Sequence, residues 1–156
     1  MQSMIEKFGE RKAKIFMEQS AKYREDWRHK WGFDTPETSI HSDEEQAERW
    51  VADLAKKNVE RVNFVMGGGN DNLSKIVKMH PDRFTGFAHH DLFSPNAADE
   101  LERAVTKLGL RGFKLLSSGL TRNIDDKDAY PVWEMAEKLE IPVLIHFGVL
   151  GGGGGP

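Results

Sequence analysis

Cysteine is absent from this 156-residue chain. That removes disulfide frameworks, thiolate metal sites, iron–sulfur clusters and thiol nucleophiles together. A dominant charge is also lacking. The 22 Lys and Arg stand against 25 Asp and Glu, a formal net charge of −3, so no global field invites nucleic acid or an anionic membrane. No apolar run approaches the roughly 18–20 residues of a spanning helix, and the opening MQSMIEKFGERK has no apolar signal-peptide core. The expectation is one soluble, cytoplasmic domain with neither nucleic-acid nor membrane partners. What is present is 38% hydrophobic residues, in a length able to bury about 70% of the unfolded surface.

Residues 1–33 read as a long polar helix with an aromatic edge. Phe8, Phe16, Tyr23, Trp27 and Trp31 recur at gaps of eight, seven, four and four, one or two helical turns apart. Interleaved basic residues would let such a stripe stack bases and contact phosphates. The acidic residues mixed among them, and the lack of a nucleic-acid fold motif, favour packing or an interface.

After a loop at Gly32–Ile40 the pattern becomes regular. Ser42-Asp-Glu-Glu45 is a capping box opening a helix with Ala47, Trp50, Val51 and Leu54 on its apolar face. A strand at Val62–Met66 ends in Gly67-Gly68-Gly69, and a helix runs from about Asp71 to Met79. The strand Phe84–His89 follows. Then comes a helix capped by Ser94-Pro95, carrying Leu101, Ala104, Val105 and Leu108 inward and closed by Gly109. A strand at Gly112–Leu116, a polar loop, a helix at Tyr130–Leu139 and a last strand at Pro142–Phe147 complete the repeat. Short apolar strands alternating with amphipathic helices specify an α/β fold with about four parallel strands covered by helices. The expected organisation is a helical segment at 1–40, β/α repeats at 41–150 and a Gly-rich tail at 151–156.

In parallel α/β folds ligands sit beyond the carboxyl ends of the strands. Those ends carry Gly67–Asp71, His89-His90-Asp91, Lys114 with Ser117-Ser118, and His146. His146 is the one ionisable group in IPVLIHFG. Burial there costs a few kcal/mol unless the imidazole is hydrogen-bonded or metal-bound, so it is either a ligand or a core histidine on a carbonyl. His89 and His90 are adjacent and face opposite sides of a strand, so at most one enters a site, and parity alone does not choose. Asp91 reads as a loop cap before a catalytic carboxylate. Lys114, between Phe113 and Leu115, requires a carboxylate partner, a substrate anion or carbamylation if buried. The triple glycine could cradle a phosphate, but it lacks the rest of a dinucleotide fingerprint or P-loop. His29, His41 and His80 receive no role.

Four ordered pieces resemble one family: Pro81-Asp-Arg-Phe-Thr-Gly-Phe-Ala88, Glu100-Leu-Glu-Arg-Ala104, Leu108-Gly-Leu-Arg-Gly-Phe-Lys-Leu115 and Pro142-Val-Leu-Ile-His146. Over about Ala47–Gly148 the chain resembles the amidohydrolase-related metal-dependent TIM-barrel enzymes, among them aminocarboxymuconate-semialdehyde and resorcylate-type decarboxylases. The resemblance implies a partial (β/α)8 barrel holding strands two to five. It also implies a divalent ion, usually zinc, bound by a His-x-His pair on the first strand, a histidine ending the fifth and an aspartate on the eighth. His146 matches the fifth-strand ligand. The family's Lys-Leu-His-Pro at the fourth strand appears here as Lys114-Leu115-Leu116-Ser117, and no His-x-His occurs.

The implied reaction is hydrolysis or non-oxidative decarboxylation of a small carboxylate-bearing substrate at a metal-activated water. His146 is then the metal residue, and Lys114 with His89 or His90 are the catalytic candidates. The chain is expected to be incomplete, since a full barrel takes roughly 250 residues. The alternative is a catalytically silent truncated paralogue, folding as an open sheet or forming a homo-oligomer through its strand edges.

Overall fold

The computed structural model describes residues 9–35, 37–65, 68–117, 120 and 122–146. One compact unit is Ile40–Phe147; the first helix belongs to another and is taken by itself. That helix, α1, spans Glu10–Trp31 and ends at Gly32. Its aromatic edge forms a ladder, with Tyr23–Trp27 and Trp27–Trp31 ring centroids 6.0 and 5.9 Å apart. Phe8 lies outside the described residues.

The larger unit alternates helix and strand in the order α2 (Asp43–Lys56), β1 (Val62–Phe64), α3 (Asn70–Met79), β2 (Phe84–Gly86), α4 (Ala97–Thr106), β3 (Phe113–Leu116), α5 (Tyr130–Lys138) and β4 (Val143–His146). A single 3₁₀ turn at Lys127–Ala129 leads into α5. The capping box forms as the sequence requires: Glu45 N–H donates to Ser42 Oγ and Ser42 N–H to the Glu45 carboxylate. Ala47 and Leu54 are buried, whereas Trp50 is 44% exposed and meets the β1 ring of Phe64 edge-on. One boundary differs from expectation. Ser94 and Pro95 form a turn that precedes α4, and the cap falls on Asn96, whose side chain makes no capping bond.

β1 and β2 pair in parallel, as do β3 and β4. The two pairs join where Ala88 bridges Phe113. Arg111 N–H donates to the Gly86 carbonyl, Ala88 N–H to that of Gly112, and Lys114 N–H to that of Ala88, at 2.8, 2.8 and 2.7 Å. The strands therefore lie side by side in chain order, the arrangement of successive β/α units. Helices cover one face. Phe84, Ala88, Phe113 and Leu115 pack there against Leu73 and Val77 of α3, Leu101 and Ala104 of α4, and Val132 and Ala136 of α5. On β4, Leu144 and Ile145 remain 44% and 37% exposed. No helix of the described residues is long and apolar enough to cross a membrane.

Leu101 is fully buried at the centre of this core. Leu101→Ala should lower the unfolding free energy by about 2–5 kcal/mol. Ser42→Ala should remove about 1 kcal/mol through the cap. Urea denaturation of each variant measures both, and equal losses would contradict the difference in burial.

Candidate functional site

Side chains alternate across a strand, so the core residues fix the facing of the rest. Phe113 and Leu115 point to the helices; Lys114 and Leu116 therefore point to the other face. Register pairs Lys114 with Leu144 and Leu116 with His146, which puts Lys114 and His146 on the same face of neighbouring strands. Lys114 is 5% exposed, and among the described residues no carboxylate pairs with its ammonium. Ser117 Oγ donates to the His146 carbonyl and ties the ends of β3 and β4 together. The His146 imidazole itself engages no hydrogen bond among the described residues.

The adjacent histidines take different surroundings. On the helix side the His90 ring lies 4.9 Å from the Phe113 ring. Its Nε2 is 2.9 Å from the Ala97 carbonyl, and its Nδ1 is 3.3 Å from the Asn70 side-chain amide nitrogen. A carbonyl only accepts, so Nε2 carries the proton and Nδ1 accepts from Asn70. His90 is thus a neutral, doubly bonded link between the starts of α3 and α4. Burial pushes its pKa below the ordinary imidazole value, against the opposing pull of the Ala97 bond and nearby Glu100.

His89 lies where the regular ladder ends. Its backbone N–H donates to Asn70 Oδ1 at 2.9 Å, and its ring Nδ1 is 2.9 Å from the Lys114 carbonyl. Here the proton must sit on Nδ1, which leaves the Nε2 lone pair unprotonated in the neutral ring. The two rings are therefore opposite tautomers, a distinction that strand parity did not reveal.

Asn70 was not among the sequence candidates. It opens α3 and is buried, and its amide also donates to Glu100 Oε1 at 2.7 Å. Glu100 continues to Arg103, which reaches Asp71 at 2.6 Å. Arg103 holds both carboxyls below the usual range, helped at Glu100 by Asn70. The signal available in the sequence was a polar residue at a helix start directly beyond a strand end. The preceding glycines serve the backbone: Gly68 and Gly69 have φ of 73° and 101°, conformations that favour glycine. Gly67 lies outside the described residues. Asp91 caps its own loop, accepting the Phe93 N–H at 3.0 Å.

The amidohydrolase family profile matches residues 41–155. The chain belongs to the amidohydrolase family. Among curated relatives, it is 33% identical over 78 residues to 2-amino-3-carboxymuconate-6-semialdehyde decarboxylase of Dictyostelium discoideum, covering 49% of this chain and 22% of the relative. It is 34% identical over 97 residues to gamma-resorcylate decarboxylase of Rhodococcus jostii, covering 56% and 30% respectively. Among solved structures, dihydroxybenzoic acid decarboxylase of Polaromonas, with bound manganese and 2-nitroresorcinol, matches with TM-score 0.56 and 26% identity over 64% of this chain and 37% of that one. The 5-carboxyvanillate decarboxylase of Novosphingobium aromaticivorans, with manganese bound, matches with TM-score 0.59 and 20% identity over 85% and 47%. The fold is thus part of an amidohydrolase barrel, and the chain spans less than a third of these curated relatives.

Among the described residues no group of three His, Cys, Asp or Glu is placed to hold a metal ion. A protein-bound ion of this class needs three or four protein ligands, so the described residues fit at most part of such a site.

Because folded His90 binds a proton less readily than the unfolded chain, stability should fall as pH drops from about 6.5 towards its depressed pKa, then level off. Above about 6.5 both states are neutral and the slope vanishes. His90→Gln should flatten that limb. Melting temperatures between about pH 7.5 and about pH 5 measure it, and an unchanged slope in the variant would place the titration elsewhere.

Proposed function

We propose that the chain forms one wall of the active site of a metal-dependent amidohydrolase-type enzyme. It acts on a small carboxylate-bearing substrate by non-oxidative decarboxylation or by hydrolysis. The observation that carries the reading is Lys114: a lysine only 5% exposed, with no carboxylate on its ammonium among the described residues, on the same sheet face as His146 in a chain of this family. A cation without a protein carboxylate at the open face of the sheet is a receptor for an anion, and a substrate carboxylate supplies one. Lys114 binds and orients that group.

Decarboxylation breaks the bond to the carboxyl carbon and leaves an electron pair that must take up a proton. Hydrolysis must move a proton off water. His89, with Nδ1–H held on the Lys114 carbonyl, has Nε2 available to accept and return such a proton. His146 is assigned as one ligand of a divalent ion, which supplies electrophilic stabilisation when bound. Zinc follows from the family resemblance and manganese from the two solved neighbours. The partner is a small molecule, in keeping with the acid and the resorcinol bound in those neighbours.

A second reading, a catalytically silent α/β module, draws on the lack of a three-ligand cluster among the described residues. One set of measurements separates the two. Elemental analysis and zinc or manganese titration of the full chain should give one ion per chain, weakened at least tenfold by His146→Ala. Carbon dioxide release from gamma-resorcylate or 5-carboxyvanillate should fall about 100-fold in Lys114→Ala, the scale of about 3 kcal/mol for losing a charge-assisted contact. A folded chain that binds neither ion and acts on neither acid overturns the enzyme reading and leaves the silent module.

A further inference from the structure

We propose that Asn70 is a positioning residue for His89 and, through it, sets which ring nitrogen faces the substrate side of the sheet. The inference rests on the enzyme reading for its purpose, but its geometry stands apart from metal and activity. Asn70 is 7% exposed, and both its side-chain oxygen and its nitrogen are engaged. Oδ1 accepts the His89 N–H at 2.9 Å, while the amide nitrogen donates to Glu100 at 2.7 Å and to His90 at 3.3 Å. Only one orientation of the amide satisfies all three, because a carboxylate cannot donate and a backbone N–H cannot accept.

The consequence reaches His89 through the main chain. In this ladder the Phe87 N–H turns to β1 and bonds the Phe64 carbonyl, so the His89 N–H, two residues on, also faces the β1 side. Past the end of β1, Asn70 Oδ1 takes that N–H at 2.9 Å and fixes the His89 main chain. The Lys114 carbonyl, which a continued ladder would offer to the His90 N–H, instead accepts from His89 ring Nδ1 at 2.9 Å. The side chains complete the ladder. A ring held in this way presents an unprotonated Nε2, whereas a free neutral histidine has no such fixed choice. Two sequence neighbours are therefore locked in opposite tautomers by one amide and two carbonyls, those of Lys114 and Ala97.

The test is a spectroscopic one on the full chain. Ring-nitrogen-to-proton correlation spectra of ¹⁵N-histidine-labelled protein at neutral pH should show His89 as the Nδ1–H tautomer and His90 as the Nε2–H tautomer. Asn70→Ala should lose the fixed His89 tautomer and speed exchange of the His89 amide hydrogen about tenfold, the effect of about one net hydrogen bond. Asn70→Asp keeps the acceptor but not the donors. It should therefore retain the His89 tautomer and amide protection while disturbing His90.

A wild-type His89 found as Nε2–H overturns the proposal without any variant. So does an Asn70→Ala protein with an unchanged His89 ring. Failure of metal binding or carbon dioxide release, with the tautomers as stated, counts against the enzyme reading alone.

Discussion

The structure hangs on the seam between β2 and β3, where three backbone hydrogen bonds join two parallel pairs into one surface. Small residues make that approach feasible. A Cβ at Gly112 would come within 2.8 Å of the Phe87 ring, and one at Gly86 within 3.0 Å of Leu73 and 3.1 Å of Leu110. The first lies towards the open face and the second towards the helices. The seam is thus closed on both sides by large apolar groups that a methyl would displace. Packing at native density leaves little room for such a shift. Everything beyond the seam, including the facing of Lys114 and the end of β4, inherits its register.

Past the seam the backbone stops pairing and side chains take over. Buried N–H and C=O groups must find partners. At His89 and Lys114 those partners are an asparagine amide and an imidazole. The polar residues at the carboxyl ends of the strands are therefore partly structural, since they terminate the sheet. Functional availability begins only where this requirement is met with capacity left over, as at His89 Nε2 and the Lys114 ammonium. Both nitrogens of His90 are consumed by Ala97 and Asn70, so it has none to offer.

The order of elements was legible because each repeat states its period plainly. The capping box at Ser42–Glu45 and the apolar stripe of α4 required no tertiary information. Strand lengths were only partly legible: Val62–Met66 and Phe84–His89 read as continuous apolar runs, and the β1–β2 ladder covers Val62–Phe64 and Phe84–Gly86, with Ala88 still bridging Phe113 and Met66 outside the described residues. Hydrophobicity records burial and not hydrogen bonding: Phe87 still donates its N–H to the Phe64 carbonyl, whereas the His89 N–H two residues on finds a side chain. The capping role of Ser94-Pro95 also failed, because a turn intervenes and α4 begins two residues beyond Pro95. The facing of Lys114 could be had from alternation, whereas the split between His89 and His90 could not. It depends on which neighbour supplies a carbonyl, and both suppliers, Ala97 and Lys114, are distant in the pattern that sequence reading uses. Asn70 was missed for a related reason. Its three partners lie 19, 20 and 30 residues away, and only the folded α3–β2–α4 arrangement brings them to one amide.

The arrangement also explains how a charged residue is tolerated at the centre of β3. Lys114 follows Phe113 and precedes Leu115, both nearly inaccessible, so the backbone there is fixed by core packing on the helix face. The opposite face offers the ammonium no carboxylate among the described residues. Among the described residues the buried side-chain nitrogen without a partner is Arg83 Nε and not Lys114 Nζ, so the ammonium reaches the open face of the sheet while the stem is covered. On the proposed enzyme reading, that placement, next to a histidine with a directed lone pair, gives Lys114 its use: the core fixes the stem and leaves the ammonium to bind.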